Sequence, residues 1–420
     1  MSNDPNILII GTVDTKSDEL LFMKTCIEAG GGRAMLMDVG VLGHPSVPPD
    51  ITKHDVAAAA GTTIADIVAL GDENKAMTRM ADGASRLTRQ RYVSGRIDGM
   101  IALGGTMGTD LALDAAAALP LGVPKMVVST VAFSPLIPAE RMPADLMMIL
   151  WAGGLYGLNG ICKSALSQAA GAVLGACRSA VKPREDRPVV GMTSLGKSCL
   201  SYMVALKPEL EARGYEVAVF HTTGMGGRAF ESLAAQGRFA AVMDFSLPEV
   251  GNHLNGSVVS AGADRLEAAG AAGIPQIVAP GCIDLVDLAT WAPMPDRYKD
   301  RGYHAHNRLI ASVALTPDER RRTARAIAEK LAKANGPTTF ILPLRGIEEW
   351  DREGEPVHDP AGLSAFIDEI GTAIAPPVRL VECDGHINDA AFATTALGIF
   401  DDWVRDGIVP PGGPRPKDAD

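Results

Sequence analysis

The chain has 420 residues, 47% of them hydrophobic and 21% charged, with a formal net charge of -11. That length exceeds what one hydrophobic core usually supports, so two domains are expected. The acidic balance comes with no block of like charge and no basic stripe interleaved with aromatics, which argues against a general nucleic-acid binder and leaves phosphate recognition to backbone N–H groups and single lysines.

MSNDPN carries no basic segment and runs directly into an apolar stretch, so no secretory signal is read at the N-terminus. Apolar stretches such as 165–180 are rich in alanine and glycine and too short to span a bilayer. A cytoplasmic protein without membrane contact is the expectation. Six cysteines (Cys26, Cys162, Cys177, Cys199, Cys282, Cys383) show no CxxC or other metal spacing. They read as buried free thiols.

Short apolar runs predict strands at 7–10, 34–38, 99–103 and 125–129 in the first half. Helical periods fall at 17–30, 53–60, 74–94, 109–117 and 158–178. This alternation predicts a parallel, doubly wound sheet. VKPREDRP (181–188) is charged and proline-containing and reads as a linker, which puts a domain boundary near 184. Beyond it RPVVGMTSLGKSCL (187–200) repeats the logic of NILIIGTVDTKSDEL (6–20): apolar run, glycine turn, helix pattern. Strands are predicted at 189–192, 216–220, 240–245, 276–280, 338–344 and 378–384, and helices at 198–213, 228–236, 262–272, 317–334 and 388–404. The domains are therefore 1–183 and 184–408, with a proline- and glycine-rich flexible tail at 409–420. The fold class is α/β: two Rossmann-like subdomains, each a mainly parallel sheet flanked by helices.

The 45 glycines cluster after apolar runs, where tight turns at strand ends build sites. Gly11-Thr12-Val13-Asp14-Thr15-Lys16 follows the first strand. Its glycine permits a tight turn, its hydroxyls can donate, and Lys16 can neutralise phosphate at the start of a helix. Gly104-Gly105-Thr106-Met107-Gly108-Thr109-Asp110 follows the strand ending IAL and opens the next helix. Ser129 and Thr130 cap a third strand end. Neither loop is a GxGxxG or a Walker turn, and each alone is an ordinary βα turn as readily as a ligand loop. Two of them with threonine hydroxyls in one domain weigh toward a phosphate ligand. GMTSLGKS (191–198) does fit the Walker spacing, with Asp244 as the candidate partner for Mg²⁺.

The second half carries its polar residues after predicted strands. His221 opens HTTGMGGR, with Gly226, Gly227 and Arg228. Glu249 follows the VMDF strand. His304, His306 and Asn307 lie within four residues, and Arg345 follows ILPL. A rim of His, Arg and Asn suits a small anionic substrate, with acid–base work falling to His221, His306 and Glu249. HxH on a strand would set both imidazoles on one face, but the spacing matches no zinc motif, so no metal site is assigned.

GTVDTKSDEL, ALGGTMGTDLALDAAAALPLGVPKMVVSTVA, VFHTTGMGGRAFE and HAHNRLIASVALTPDE resemble the amino-terminal ATP-binding domain family of the tomato mosaic virus resistance protein. The motifs run in the same order over roughly 5–390. The resemblance implies two α/β subdomains, homodimers or higher homo-oligomers, and ATP, accompanied by Mg²⁺, in the N-terminal part. Position by position it places ATP on Gly11, Thr12, Asp14, Thr15, Lys16, Gly104, Gly105, Thr106, Gly108, Thr109, Ser129 and Thr130. It brings no role for the second-half residues. The expectation is thus an ATP-binding protein that acts as an enzyme on a small anionic metabolite at the second-domain or interdomain rim. The alternative is a nucleotide-binding or protein-interaction module without turnover.

Overall fold

A computed structural model describes residues 4–181 and 186–414. The chain divides into two compact units, Met1–Pro183 and Arg184–Asp420. Much of the expected linker, at 182–185, and the end of the expected tail, at 415–420, lie outside the described residues.

In the first unit the elements run β1 (Asn6–Gly11), α1 (Val13–Ala29), β2 (Arg33–Asp38), α2 (Lys53–Ala59), α3 (Ile64–Ala69), α4 (Glu73–Val93), β3 (Gly99–Gly104), α5 (Thr106–Ala117), β4 (Lys125–Ser129), β5 (Met147–Leu150) and α6 (Gly160–Ser179). All five strands are parallel, in the order β2-β1-β3-β4-β5. β1, β3 and β4 are continuous apolar runs because helices cover both their faces. Ile7 and Ile9 pack with Leu20, Met23 and Leu166 of α1 and α6. Leu8 and Ile10 pack with Val56, Met80 and Leu111 of α2, α4 and α5. Thr52 and Asp55 close a capping box that starts α2.

The second unit continues with β6 (Val189–Ser194), α7 (Ser201–Ala212), β7 (Glu216–His221), α8 (Met225–Ala235), β8 (Ala241–Ser246), α9 (Pro248–Leu254), α10 (Ala268–Ala271), β9 (Gln276–Gly281), β10 (Leu285–Ala289), β11 (Tyr303–Ala305), β12 (Ile310–Ala314), α11 (Pro317–Leu331), β13 (Thr338–Pro343), α12 (Pro360–Ala373), β14 (Arg379–Cys383) and α13 (Ala390–Arg405). Its parallel sheet, β7-β6-β8-β9-β13-β14, repeats the first unit's order with one more strand. A small antiparallel sheet, β10-β12-β11, is inserted between β9 and α11. α7 and α13 cover one face of the main sheet, and α9, α11 and α12 cover the other.

The α/β class and the two mainly parallel sheets match the expectation. Strand β5, helices α3, α9 and α12, and the inserted sheet have no counterpart in it. One expected helix is largely lost: of 262–272 only Ala268–Ala271 is helical. Gly262 and Leu266 sit at φ of 103° and 75°, and this bend carries Arg265 into the core. The start of the expected tail is packed: Val409 is fully buried, Tyr215 Oη donates to Pro410 O at 2.7 Å, and Gly413 N donates to Gly214 O. All six cysteines are free, Cys26 and Cys177 being only half-buried. Among the described residues no helix is long and apolar enough to cross a membrane.

Candidate functional site

In an open parallel sheet, ligands settle outside the carboxyl ends of the strands where the winding direction reverses. In the first unit that point lies between β1 and β3, and the two glycine loops predicted from sequence flank it. They line one cavity of about 330 Å³ whose walls include Gly11, Thr12, Thr15, Lys16, Gly104, Gly105, Thr106 and Gly108. A second cavity of about 340 Å³ adjoins it through Thr12, Thr15, Val39, Met77 and Met107. This one is apolar, walled by residues that follow β2 and by α3 and α4. Leu42, Val68 and Met107 stand exposed at its edge.

The two helix N-termini at this rim differ. At α1 the N–H of Val13 is already taken by Asp38 Oδ1 at 3.0 Å, and the same oxygen accepts from Gly40 N at 2.9 Å. A carboxylate of the protein's own thus sits on the first turn of α1. At α5 the cap is Gly105, which offers no side chain, and the first intrahelical bond is Thr109 N to Gly105 O. Among the described residues nothing accepts from Thr106, Met107 or Gly108 N–H. Three unfilled donors stand at the positive end of a twelve-residue helix, open on a cavity, an arrangement that can seat an anion.

Other predicted residues shape this turn, and of these Thr12, Thr15 and Lys16 also line the cavity. Thr109 Oγ1 and Ser129 Oγ share a buried hydrogen bond of 2.7 Å that pins α5 to β4. Thr130 N donates to Gly104 O. Thr12 and Thr15 hydroxyls pair at 2.8 Å. Lys16 lines the cavity, but its Nζ donates to Leu155 O at 2.6 Å and lies over the Tyr156 ring. The loop around Leu155 therefore holds the lysine.

The Walker-like stretch of the second unit is not a phosphate loop. Its first four residues lie in β6, and a Cβ at Gly191 would stand 3.0 Å from the rings of Phe230 and Phe239, so this glycine serves packing. Asp244 is not free for Mg²⁺: it accepts from Thr193 Oγ1 and is ion-paired with Arg265.

The second-unit residues separate into three groups. Glu249 is fully buried, takes Gly224 N and Gly227 N on Oε1, and takes Arg265 Nε on Oε2. Burial pushes its carboxyl up, against the pull of Arg265. Its work is to hold the glycine turn at the start of α8, where a Cβ on Gly227 would overlap its carboxylate and one on Gly226 would overlap His221 O. Glu249, read as an acid–base group, and Gly226 and Gly227, read as substrate-binding, are thus committed to one another within this turn. Arg228 is bound to Asp264 and Arg345 to Asp384, while Asn307 Oδ1 caps the turn at Leu309 and Ile310. These three already have partners within the fold.

The histidines do come together. His304 stacks on Trp350 with ring centroids 3.7 Å apart, and His306 lies 6.3 Å from His304 and 6.2 Å from Trp350. Burial lowers the pKa of His221 and of His304, and the charge of His306 lowers both further. His221 Nδ1 accepts from Gly196 N at 3.3 Å, which leaves Nε2 as its proton-bearing nitrogen. The inserted sheet is anchored beneath by Asp287, held by Ser312 Oγ and Asn252 Nδ2. Among the described residues no three His, Cys, Asp or Glu side chains are grouped as a metal would need.

Sequence reasoning missed the apolar cavity, because its walls come from α3, α4 and the segment after β2. It also missed Trp350 and the buried Arg265 network.

Comparisons with known proteins agree on the family. Residues 5–182 match the N-terminal domain, and 187–404 the C-terminal domain, of the uncharacterised protein family UPF0261. A UPF0261 protein of Brucella melitensis is 57% identical over 98% of both chains. One of Clostridium tetani is 36% identical over 92% of this chain and 96% of its own. The ToMV resistance protein Tm-1 of Solanum lycopersicum is 29% identical over 95% of this chain but 56% of its own length. Among solved structures, the UDP-GlcNAc 2-epimerase of Methanocaldococcus jannaschii is 10% identical, with a TM-score of 0.21 over 65% of this chain and 83% of that one.

Proposed function

This chain belongs to the UPF0261 family, and we propose that its first unit binds a nucleotide, ATP being the ligand implied by the sequence resemblance, with the phosphates on the first turn of α5. One observation carries this: the N–H groups of Thr106, Met107 and Gly108 are unfilled and open on the cavity at the strand-order switch point. The glycine loop lets backbone approach the ligand closely, and Lys16 adds a positive charge beside it. Mg²⁺ would arrive with the nucleotide. A homodimer belongs to the same proposal through the resemblance, and a cytoplasmic location is proposed beside it.

A titration of the whole chain with ATP, ADP and inorganic tripolyphosphate tests it. Saturable binding of all three, weakened at high salt and in Lys16→Ala, is the expected result. No binding of any of them would sink it.

The histidine cluster of the second unit favours a second reading beside the first. The imidazoles of His221 and His304, their pKa lowered by burial and by His306 and the second of them stacked on Trp350, suit proton transfer on a small anionic metabolite. Phosphate release from ATP, screened against sugar acids and keto acids, would show turnover lost in His306→Gln if the protein is an enzyme. Binding without turnover on any of them would leave a nucleotide-binding module.

A further inference from the structure

The adjoining apolar cavity gives the ligand a direction. Its mouth carries Asp14, Asp72 and Glu73 and no cation, whereas the first cavity carries Lys16 and the open end of α5. An anion is repelled from the apolar cavity and drawn to the one at α5, so the uncharged part of an extended ligand must lie over Val39, Ile67 and Met77. Asp14 lines the apolar cavity on the first turn of α1, next to Thr12 and Thr15, which wall both cavities.

Its carboxylate is left unfilled in an unusual way. Oδ1 is buried and accepts no hydrogen bond. The segment after β2 lies against it through Gly40 and Gly43, and a Cβ at Gly43 would overlap the carboxylate. That segment is held by Lys53, whose Nζ donates to the carbonyls of Val41 and Gly43. Asp38, the acidic residue at the end of β2 that in dinucleotide-binding sheets takes the ribose hydroxyls, is here committed to Val13 N and Gly40 N. A carboxylate with unmet acceptor capacity at a cavity edge calls for donors, and a vicinal diol supplies two.

We propose that Asp14 is the sugar-reading residue of this site: the ligand is a ribonucleotide whose base lies in the apolar cavity and whose 2′- and 3′-hydroxyls donate to the Asp14 carboxylate. It rests on the first unit being a nucleotide site, and it adds the ligand's orientation and its ribose specificity.

Calorimetric titration of the whole chain with ATP, 2′-deoxyATP, 3′-deoxyATP and inorganic tripolyphosphate tests it, on the wild type, Asp14→Ala and Asp14→Asn. The wild type is expected to bind ATP about tenfold tighter than either deoxy analogue, the worth of one good hydrogen bond to a charged group. Asp14→Ala should bring ATP below the wild-type level of the deoxy analogues and weaken each analogue by the one hydrogen bond it keeps, while leaving tripolyphosphate unchanged. Asp14→Asn, which keeps the shape, should fall between. A merely structural Asp14 would weaken all four ligands together. Equal binding of ATP and its deoxy analogues by the wild type overturns the inference and leaves the phosphate seat standing. Failure of ATP and tripolyphosphate alike overturns both.

Discussion

Arg265 Nε donates to Glu249 Oε2 at 2.7 Å, while the other oxygen of that carboxylate holds Gly224 N and Gly227 N. The same guanidinium reaches Asp244 and Glu231, and none of the four side chains is more than about 2% exposed. Burial alone would lower the pKa of Arg265, but the three carboxylates raise it well above its ordinary value. Removing the one cation from such a set leaves buried charge uncompensated. Arg265→Met should therefore cost about 3–5 kcal/mol, read as a shift in the urea midpoint of the second unit. An unchanged midpoint would mean that these carboxyls take up protons freely.

Gly104 and Gly105 are neighbours with opposite tolerance. A Cβ on Gly104 would meet Gly108 Cα at 2.5 Å and Thr109 N at 3.0 Å, which is backbone and cannot swing aside. On Gly105 the nearest atom is Thr130 Oγ1 at 3.8 Å. Gly104→Ala should therefore displace the first turn of α5 and lower ATP affinity at least about tenfold, while Gly105→Ala should change it by less than about threefold. Equal affinities in the two variants would detach nucleotide binding from this turn.

The parallel strands were readable because each is a continuous apolar run with a glycine or polar turn behind it, as in NILIIG and GMIALG. The glycine loops after β1 and β3 were readable for the same reason. What sequence could not show is where a side chain's partners lie. ADRLEAAGAA has every local mark of a helix, yet Arg265 finds three carboxylates 16 to 34 positions away, and the backbone bends at Leu266 to deliver it. Glu249 looked catalytic because it follows a strand, but its donors are backbone N–H groups of a loop more than 20 residues earlier. Asp38, at the end of β2, likewise meets the start of α1 through Val13 N, a contact 25 positions apart.

His304 and His221 set an acid limit. Burial, with His306 beside both, lowers their pKa in the folded state below the ordinary 6.5. The folded chain then binds fewer protons than the unfolded chain just below pH 6.5. Stability contributed by these groups is full above that value and is lost as pH falls toward their folded pKa. The doubly substituted His221→Gln, His304→Gln protein should show a flatter loss of melting temperature between pH 6.5 and 5 than the wild type. Imidazole proton signals titrating at or above 6.5 would refute the premise directly.

Asp284 has the reverse sign. It is fully buried between β9 and β10, neither carboxyl oxygen accepts a hydrogen bond, and burial is the main cause that pushes its pKa up to about 6. Arg320 pulls it back down, and Asp351 and Asp359 push it further up. Because the folded value lies above the unfolded one, folding favours the protonated acid below pH 4, and this advantage is lost as pH rises through 6. Near neutral pH the native state must hold a poorly solvated carboxylate. Asp284→Asn removes that charge and keeps the shape, so it should raise stability at pH 7.5 by about 2 kcal/mol and give no gain at pH 4. Chemical denaturation of both proteins at the two pH values checks this. A gain of equal size at both would trace it to packing. A loss at pH 7.5 would show that the Arg320 charge outweighs the burial, and that the carboxylate of Asp284 is held for its negative charge.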